Sequence, residues 1–260
     1  MEKINLTAYN NPKSPISEAY RAIRTNIQFA GVDKPLKTII VTSATPHEGK
    51  STVIASLAIV LAQAGKKVLL IDCDFRNPTI HKLFGLTNTG MTNFVATGEA
   101  LEKIKQTVEQ ENLTIITAGP VPPNPSEILT SQKMSNLLDQ LKQEYDYILL
   151  DTPPILPVTD AAALSHKTDG VLLVVASDEI SPNEAKLAKN RLELAGANII
   201  GCVLNKVDVA PHGYGYGKYG GYGYGNYGYY YYYGDEDGKK HKHHHHHTGT
   251  EEPKSIEENK

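Results

Sequence analysis

The residues best equipped for chemistry fall at positions 44–52, 72–76 and 151. Ala44-Thr45-Pro46-His47-Glu48-Gly49-Lys50-Ser51-Thr52 stands between the β-branched run TIIVTS (38–43) and the long apolar run KSTVIASLAIVLAQA (50–64). A strand, a tight loop and a helix start in that order aim backbone N–H groups at an anion, and the helix dipole adds to the attraction. Lys50 is placed to reach the β- and γ-phosphates of a nucleotide, and the Ser51 hydroxyl to ligate magnesium. Glu48, Gly49 and Thr52 complete the expected phosphate cradle. Alanine stands where the pattern ordinarily has its first glycine. His47 departs from it too: if that position needs φ > 0, histidine is held there at some cost.

Two further carboxylate sites lie at the ends of apolar runs. LLIDCDFR gives Asp72, Asp74 and Arg76, and YILLDTPP gives Asp151. Magnesium takes oxygen ligands and keeps waters that carboxylates orient. A single aspartate at a strand end reads equally well as a turn former. Three beside a phosphate-binding loop read as a site. Arg76 fits either phosphate binding or an ion pair with Asp74. Cys73, between two aspartates, alternates into the core and reads as packing.

The elements that must position these groups alternate along the chain. Strands are expected at 38–43, 67–72, 113–118, 146–151, 170–176 and 198–205. Helices are expected from Ser17 to about Ala30, at 50–64, as two short pieces within 78–105, up to about Tyr145, and at 182–195. Near-continuous apolar strands alternating with helices predict a mostly parallel sheet flanked by helices on both faces, an α/β fold of the P-loop NTPase type. Ligands of such sheets bind beyond the carboxyl ends of the strands, where the motifs fall. Residues 1–15 read as an extended lead-in, 16–209 as the folded domain, and 210–260 as a disordered tail of Gly, Tyr, His, Lys and acids.

The formal net charge of −3 over 260 residues excludes a strongly basic nucleic-acid footprint. Cys73 and Cys202 suit a reducing compartment and read as small buried thiols. There is no secretion signal, and no run approaches the ~20 apolar residues of a membrane span, so direct membrane insertion is not expected.

LLIDCDFR, with its second hydrophobic strand ending in Asp-x-Asp-x-Arg, resembles the Walker A′ motif of the bacterial tyrosine kinases. EAYRAIRTN (18–26), GPVPPNPSEIL (119–129), YDYILLDTPPILPVTDA (145–161) and the tyrosine-rich tail resemble the same family, the cytoplasmic kinases of capsule and exopolysaccharide loci. The MinD/ParA ATPases share the fold but carry a lysine where this chain has Thr45. They also end in a lipid-binding amphipathic helix, for which the tail has no apolar stripe.

The resemblance implies an ATP-dependent protein-tyrosine kinase with Mg-ATP as donor. It implies Asp72 and Asp74 near the transferred phosphate, with Asp72 orienting the attacking phenol and also helping to hold the metal, and Asp151 as the Walker B metal residue. It suggests Asn205 at the adenine; Asn205 reads equally well as a strand-terminating turn residue. It further implies a membrane-embedded activator whose cytoplasmic end completes the ATP site, a tyrosine phosphatase as a partner, and a location at the inner face of the cell membrane through that activator. A positioning ATPase and a nucleotide-binding scaffold without kinase activity are the alternatives.

Residues 213–233 hold eleven of the fifteen tyrosines: Tyr214, Tyr216, Tyr219, Tyr222, Tyr224, Tyr227, Tyr229, Tyr230, Tyr231, Tyr232 and Tyr233. Their glycine-rich setting can present each phenol to an active site in turn. They are the expected phosphoacceptors. In the helix EAYRAIRTNIQ, Tyr20, Ile23 and Ile27 form an apolar face, while Glu18 and Arg21, with Arg24 nearby, form a charged one. That charged face is an exposed ion pair on the bland reading and a contact of a ring-like homo-oligomer on the family reading. The run of five histidines near the end is assigned no role.

Overall fold

The computed structural model describes residues 4–208. Seven strands form one sheet: β1 Thr38–Ser43, β2 Val68–Asp72, β3 Lys105–Thr107, β4 Leu113–Ile116, β5 Tyr147–Asp151, β6 Gly170–Ala176 and β7 Ile199–Asn205. Their order is β3-β4-β2-β5-β1-β6-β7. Every neighbouring pair is parallel except β3 with β4. The six apolar runs are therefore the six parallel strands. β3, the polar tripeptide KQT, is an antiparallel edge that the apolar pattern did not announce.

The five inner strands of the sheet are buried on both faces. Ile39, Val41, Leu70, Leu149 and Val174 point to one side and join helices α1 Thr7–Asn10, α2 Pro15–Ala30, α3 Lys50–Gln63 and α4 Ile80–Phe84. Ile40, Leu69, Ile71, Leu150 and Leu173 point to the other. There they meet α5 Leu101–Ile104, α6 Pro125–Thr130, α7 Gln132–Glu144, α8 Asp160–Ser165 and α9 Pro182–Leu194. A π-helical turn, Asn93–Thr97, precedes α5. α3 is apolar on every side because the sheet lies beneath it while α1 and α2 cover its outer surface.

Several expectations change. The lead-in is not extended: Thr7–Asn10 is helical, and Ile4, Leu6 and Ala8 are buried in the core. α2 begins at Pro15, and its cap is Ser14, whose hydroxyl accepts from Ser17 N at 3.1 Å. Ser17 is instead buried and donates to the Asn11 carbonyl at 2.7 Å. The helix expected up to Tyr145 is two helices, broken at Ser131, whose side chain caps the second. α8 was not anticipated. Cys73 is buried as expected, but Cys202 is exposed, because β7 is the outermost strand of the sheet. Tyr20 and Ile27 are buried on α2, with Ile23 packed beside them. No helix among the described residues is long and apolar enough to cross a membrane.

Candidate active site

β1, at the centre of the sheet, delivers the loop 44–49 to the N-terminus of α3. His47 and Gly49 both take positive φ, 70° and 86°. The suspected strain at His47 is therefore real, and Gly49 is the helix N-cap. A Cβ on Gly49 would lie 2.2 Å from Asn205 Nδ2, so glycine is required there on two counts. The first helical N–H with an intrahelical acceptor is that of Val53, donating to Gly49 O at 3.0 Å. Those of Lys50, Ser51 and Thr52 are left for an anion, with no side chain capping them.

Glu48 was expected in the phosphate cradle, but its side chain faces the other way. It is 1% exposed; one oxygen accepts from Thr45 N (2.6 Å) and Thr45 Oγ1 (3.1 Å), the other from Ala176 N (3.0 Å). It clamps the loop to the end of β6, leaving only its backbone for a ligand. Asn205, at the end of β7, donates to Glu48 O at 2.9 Å and so supports the loop from the same side. Nothing in the spacing of residues 157 apart announces that contact.

The strand register sets the acids. β2 and β5 are neighbours, and Asp72 pairs with Asp151 across them. Lys50 Nζ lies 2.8 Å from Asp74, 3.6 Å from Asp151 and 3.2 Å from the Ser51 hydroxyl. Burial alone would lower the Lys50 pKa, but Asp151 and Asp74 hold it above its ordinary value. Asp151 is fully buried, and among the described residues neither oxygen has a hydrogen-bond partner. Burial pushes its carboxyl upward against the pull of Lys50.

Asp72 is also fully buried, but both its oxygens are engaged. One accepts from Asp74 N (3.1 Å), the other from Thr79 N (3.2 Å) and Ile80 N (3.1 Å). Burial, then the neighbouring Asp151 charge, raises its pKa well above the carboxylate range. It is thus poorly placed to ligate a metal or meet a phenol. It shapes the loop that carries Asp74, and Asp74 is the carboxylate that lines the cavity.

That cavity has a volume of about 460 Å³ and spans Gly49–Thr52, Asp74, Arg76, Leu83 and a proline-rich wall after β5. Arg76 reaches it, and its ion pair is with Asp160 and not with Asp74. Its Nε and one terminal nitrogen grip the fully buried Asp160 at 2.9 and 3.2 Å. Ser126 donates to the same carboxylate at 2.6 Å. Asp160 was missed because its partner is 84 residues away in sequence. Within α2, Glu18 and Arg21 form an ion pair with each other, and Arg24 donates to the Val60 carbonyl at 3.2 Å on α3. The eleven tail tyrosines lie outside the described residues.

No three His, Cys, Asp or Glu side chains among the described residues form a metal cage. Asp151 and Ser51 instead offer a sparse oxygen set, which suits a cation that draws its remaining ligands from phosphate and water. A buried cation between paired acids, at the phosphate-binding start of a helix, defines a P-loop nucleotide-binding protein.

The comparisons narrow that class. A family model described as an AAA domain matches residues 36–190. The tyrosine-protein kinase YwqD of Bacillus subtilis (strain 168) is 44% identical over 217 residues, covering 83% of this chain and 91% of its own. The putative tyrosine-protein kinase CapB of Staphylococcus aureus is 40% identical over 217 residues, 83% and 95% of the two chains. Among solved structures, the chimerical protein CapA2B2 aligns with a TM-score of 0.75 at 42% identity, covering 78% of this chain and 89% of that one. The kinase domain of the Escherichia coli tyrosine kinase ETK aligns at 0.75 and 39%, covering 81% and 84%. A MinD of Pyrococcus horikoshii, complexed with Mg-ADP, follows at 0.55 and 26%, covering 65% and 69%. The chain belongs to the bacterial tyrosine-protein kinase family. Its likeness to MinD is that of the shared fold.

Proposed function

We propose that this chain transfers the terminal phosphoryl group of Mg-ATP to the tyrosines at positions 214–233 of a neighbouring copy within a ring-like homo-oligomer. The observation that carries the reading is the meeting of Lys50, Ser51 and Asp74 at one cavity, with the buried Asp151 3.6 Å from Lys50 and without a hydrogen-bond partner among the described residues. Ser51 and Asp151 would hold magnesium, which would supply positive charge to offset that of the phosphates. Lys50 swings from Asp74 to the phosphates. The phenol oxygen bonds to the terminal phosphorus as the bond to the bridging oxygen breaks and ADP leaves. The phenol proton passes to Asp74. A carboxylate is a far weaker base than a phenolate, so that proton moves late, and positioning supplies most of the rate.

CapB, and the CpsD of Streptococcus agalactiae, are named for capsule systems. Control of capsule or exopolysaccharide synthesis is the corresponding process here. A membrane-embedded activator completing the ATP site would hold the kinase at the inner membrane face, and a tyrosine phosphatase would reset it. Glu18 and Arg21 at the exposed face of α2 fit the subunit contact. Arg24 is already engaged within its own chain.

Incubation with radiolabelled ATP and phosphoamino-acid analysis tests the reading. Label is expected on tyrosine and is expected to vanish with Lys50→Met and with deletion of the tail. ATP hydrolysis without label would sink the kinase assignment. Mixing intact-tailed Lys50→Met chains with active tail-less ones should label the former; an unlabelled tail would reject transfer between subunits.

A further inference from the structure

The cavity has two unlike sides. Asn205, at the end of β7, supports the phosphate loop from one flank, and Asp74 and Asp151 stand at the other. The sheet order β2-β5-β1-β6-β7 puts β7 and the acids on opposite sides of the loop that follows β1. Lys50, the residue expected to meet the terminal phosphate, pairs with Asp74 and Asp151 on the β2–β5 side, so that phosphate is expected there. One wall of the same cavity is apolar. It is made of Pro153, Pro154, Pro157 and Val158 after β5, with Leu83 of α4 also lining the cavity.

This wall is fixed from several directions. Thr42 Oγ1 donates to Pro153 O at 2.9 Å, Ile155 N to Ser43 O at 2.8 Å and Leu156 N to Ala44 O at 3.1 Å. Two residues past Val158, the buried Asp160 takes the Arg76 fork and the Ser126 hydroxyl. The wall is thereby stitched to the loop carrying Asp74, so its distance from that carboxylate is set.

Prolines offer flat, rigid C–H surface without conformational entropy to lose. They also leave no N–H to compete for a polar ligand. Such a surface beside a carboxylate suits a planar aromatic ring that ends in a hydroxyl. We propose that Pro153, Pro154, Pro157 and Val158 form the seat of the acceptor phenol ring, with the hydroxyl directed between Asp74 and the terminal phosphate. The inference rests on the kinase reading above and names its acceptor subsite. A seat that grips the ring alone would accept tyrosines flanked by glycine at many positions, which is the composition of residues 213–233. In this assignment Asp160 is a positioning residue, acting through Arg76 and the wall.

The test measures label transfer from ATP to an added Gly-Tyr-Gly-Tyr-Gly peptide by the full chain, with Val158→Asp and Asp160→Asn compared with wild type. A carboxylate in the seat should raise the peptide KM about tenfold while the KM for ATP stays within about twofold, as expected when acceptor binding alone is lost. Val158→Leu, which keeps the surface apolar, should restore the peptide KM. Asp160→Asn should raise the peptide KM and lower kcat together, because the wall and the Asp74 loop lose their common anchor. An unchanged peptide KM in a folded Val158→Asp chain overturns the seat while leaving the kinase reading intact. An equal rise in the KM for ATP overturns it too, since the wall would then hold the nucleotide. Wild-type chain that hydrolyses ATP but labels no tyrosine removes the kinase reading itself, and the seat with it.

Discussion

Asp151 shows how a functional residue can work against the fold that holds it. It is fully buried, and its nearest cation, Lys50, stands 3.6 Å away and is shared with Asp74. Burial raises its carboxyl pKa against the pull of Lys50, so its charge is costlier to hold in the folded chain than in the unfolded one. A carboxyl raised on folding contributes its stability below the ordinary carboxylate pKa and loses it as pH rises through the raised value. The ionised Asp151 is therefore under-compensated by the shared Lys50 until a second cation arrives. Asparagine is the closest permanent mimic of the protonated form. Asp151→Asn should raise the melting temperature of the nucleotide-free chain by about 3 °C at pH 7, on the scale of one satisfied buried group. The gap from wild type should close as the pH approaches 4. The same substitution should abolish magnesium-dependent stabilisation by ADP. Thermal melts at three pH values, with and without Mg-ADP, check both parts. A variant less stable than wild type at pH 7 would contradict the account.

Among the elements, the phosphate loop depends on two strands it never joins in sequence. Glu48 ties it to β6, and Asn205 ties it to β7. Glu48→Ala would leave the buried Ala176 N without an acceptor, at about 1–3 kcal/mol, and the half-buried Thr45 N as well at a smaller cost. Melting should fall by several degrees, since about 1 kcal/mol moves a domain of this size by roughly 2–4 °C. Glu48→Gln, which keeps an acceptor oxygen, should fall less. Equal melting of the two variants would show that the clamp is not what Glu48 provides.

The same clamp marks where reading the sequence stops. Strands such as TIIVTS and GVLLVVA were legible because burial on both faces demands unbroken β-branched and apolar runs. β3 was not, since an antiparallel edge of KQT buries little and is defined by its partner β4. α8 was hidden because it spans only Asp160–Ser165 directly behind a proline-rich loop. Asp74 and Asp151 were legible from strand-end position, and Lys50 and Ser51 from the loop that enters α3. The side-chain directions of Glu48, Asp72 and Arg76 were not, because each answers to a partner on another element.

At the scale of the whole molecule, the proposed reaction rewrites the charge balance. The formal net charge is −3, and eleven tyrosines lie within positions 213–233. Each phosphotyrosine carries about −1.5 to −2 at neutral pH, so three or four modifications exceed the charge of the unmodified chain. In a ring, the charge added to every subunit would act against every subunit contact at once. The α2 face proposed to build the ring offers Glu18 and Arg21, which pair with each other within one chain, and exposed ion pairs of this kind contribute only about 0–1 kcal/mol. A contact that depends on such pairs can be overcome by added like charge. Phosphorylated chain should therefore be mainly monomeric in native mass spectrometry at low salt, and phosphatase treatment should restore the larger assembly. Identical mass distributions before and after phosphatase treatment would separate phosphorylation from assembly and leave the tail as substrate without a switching role.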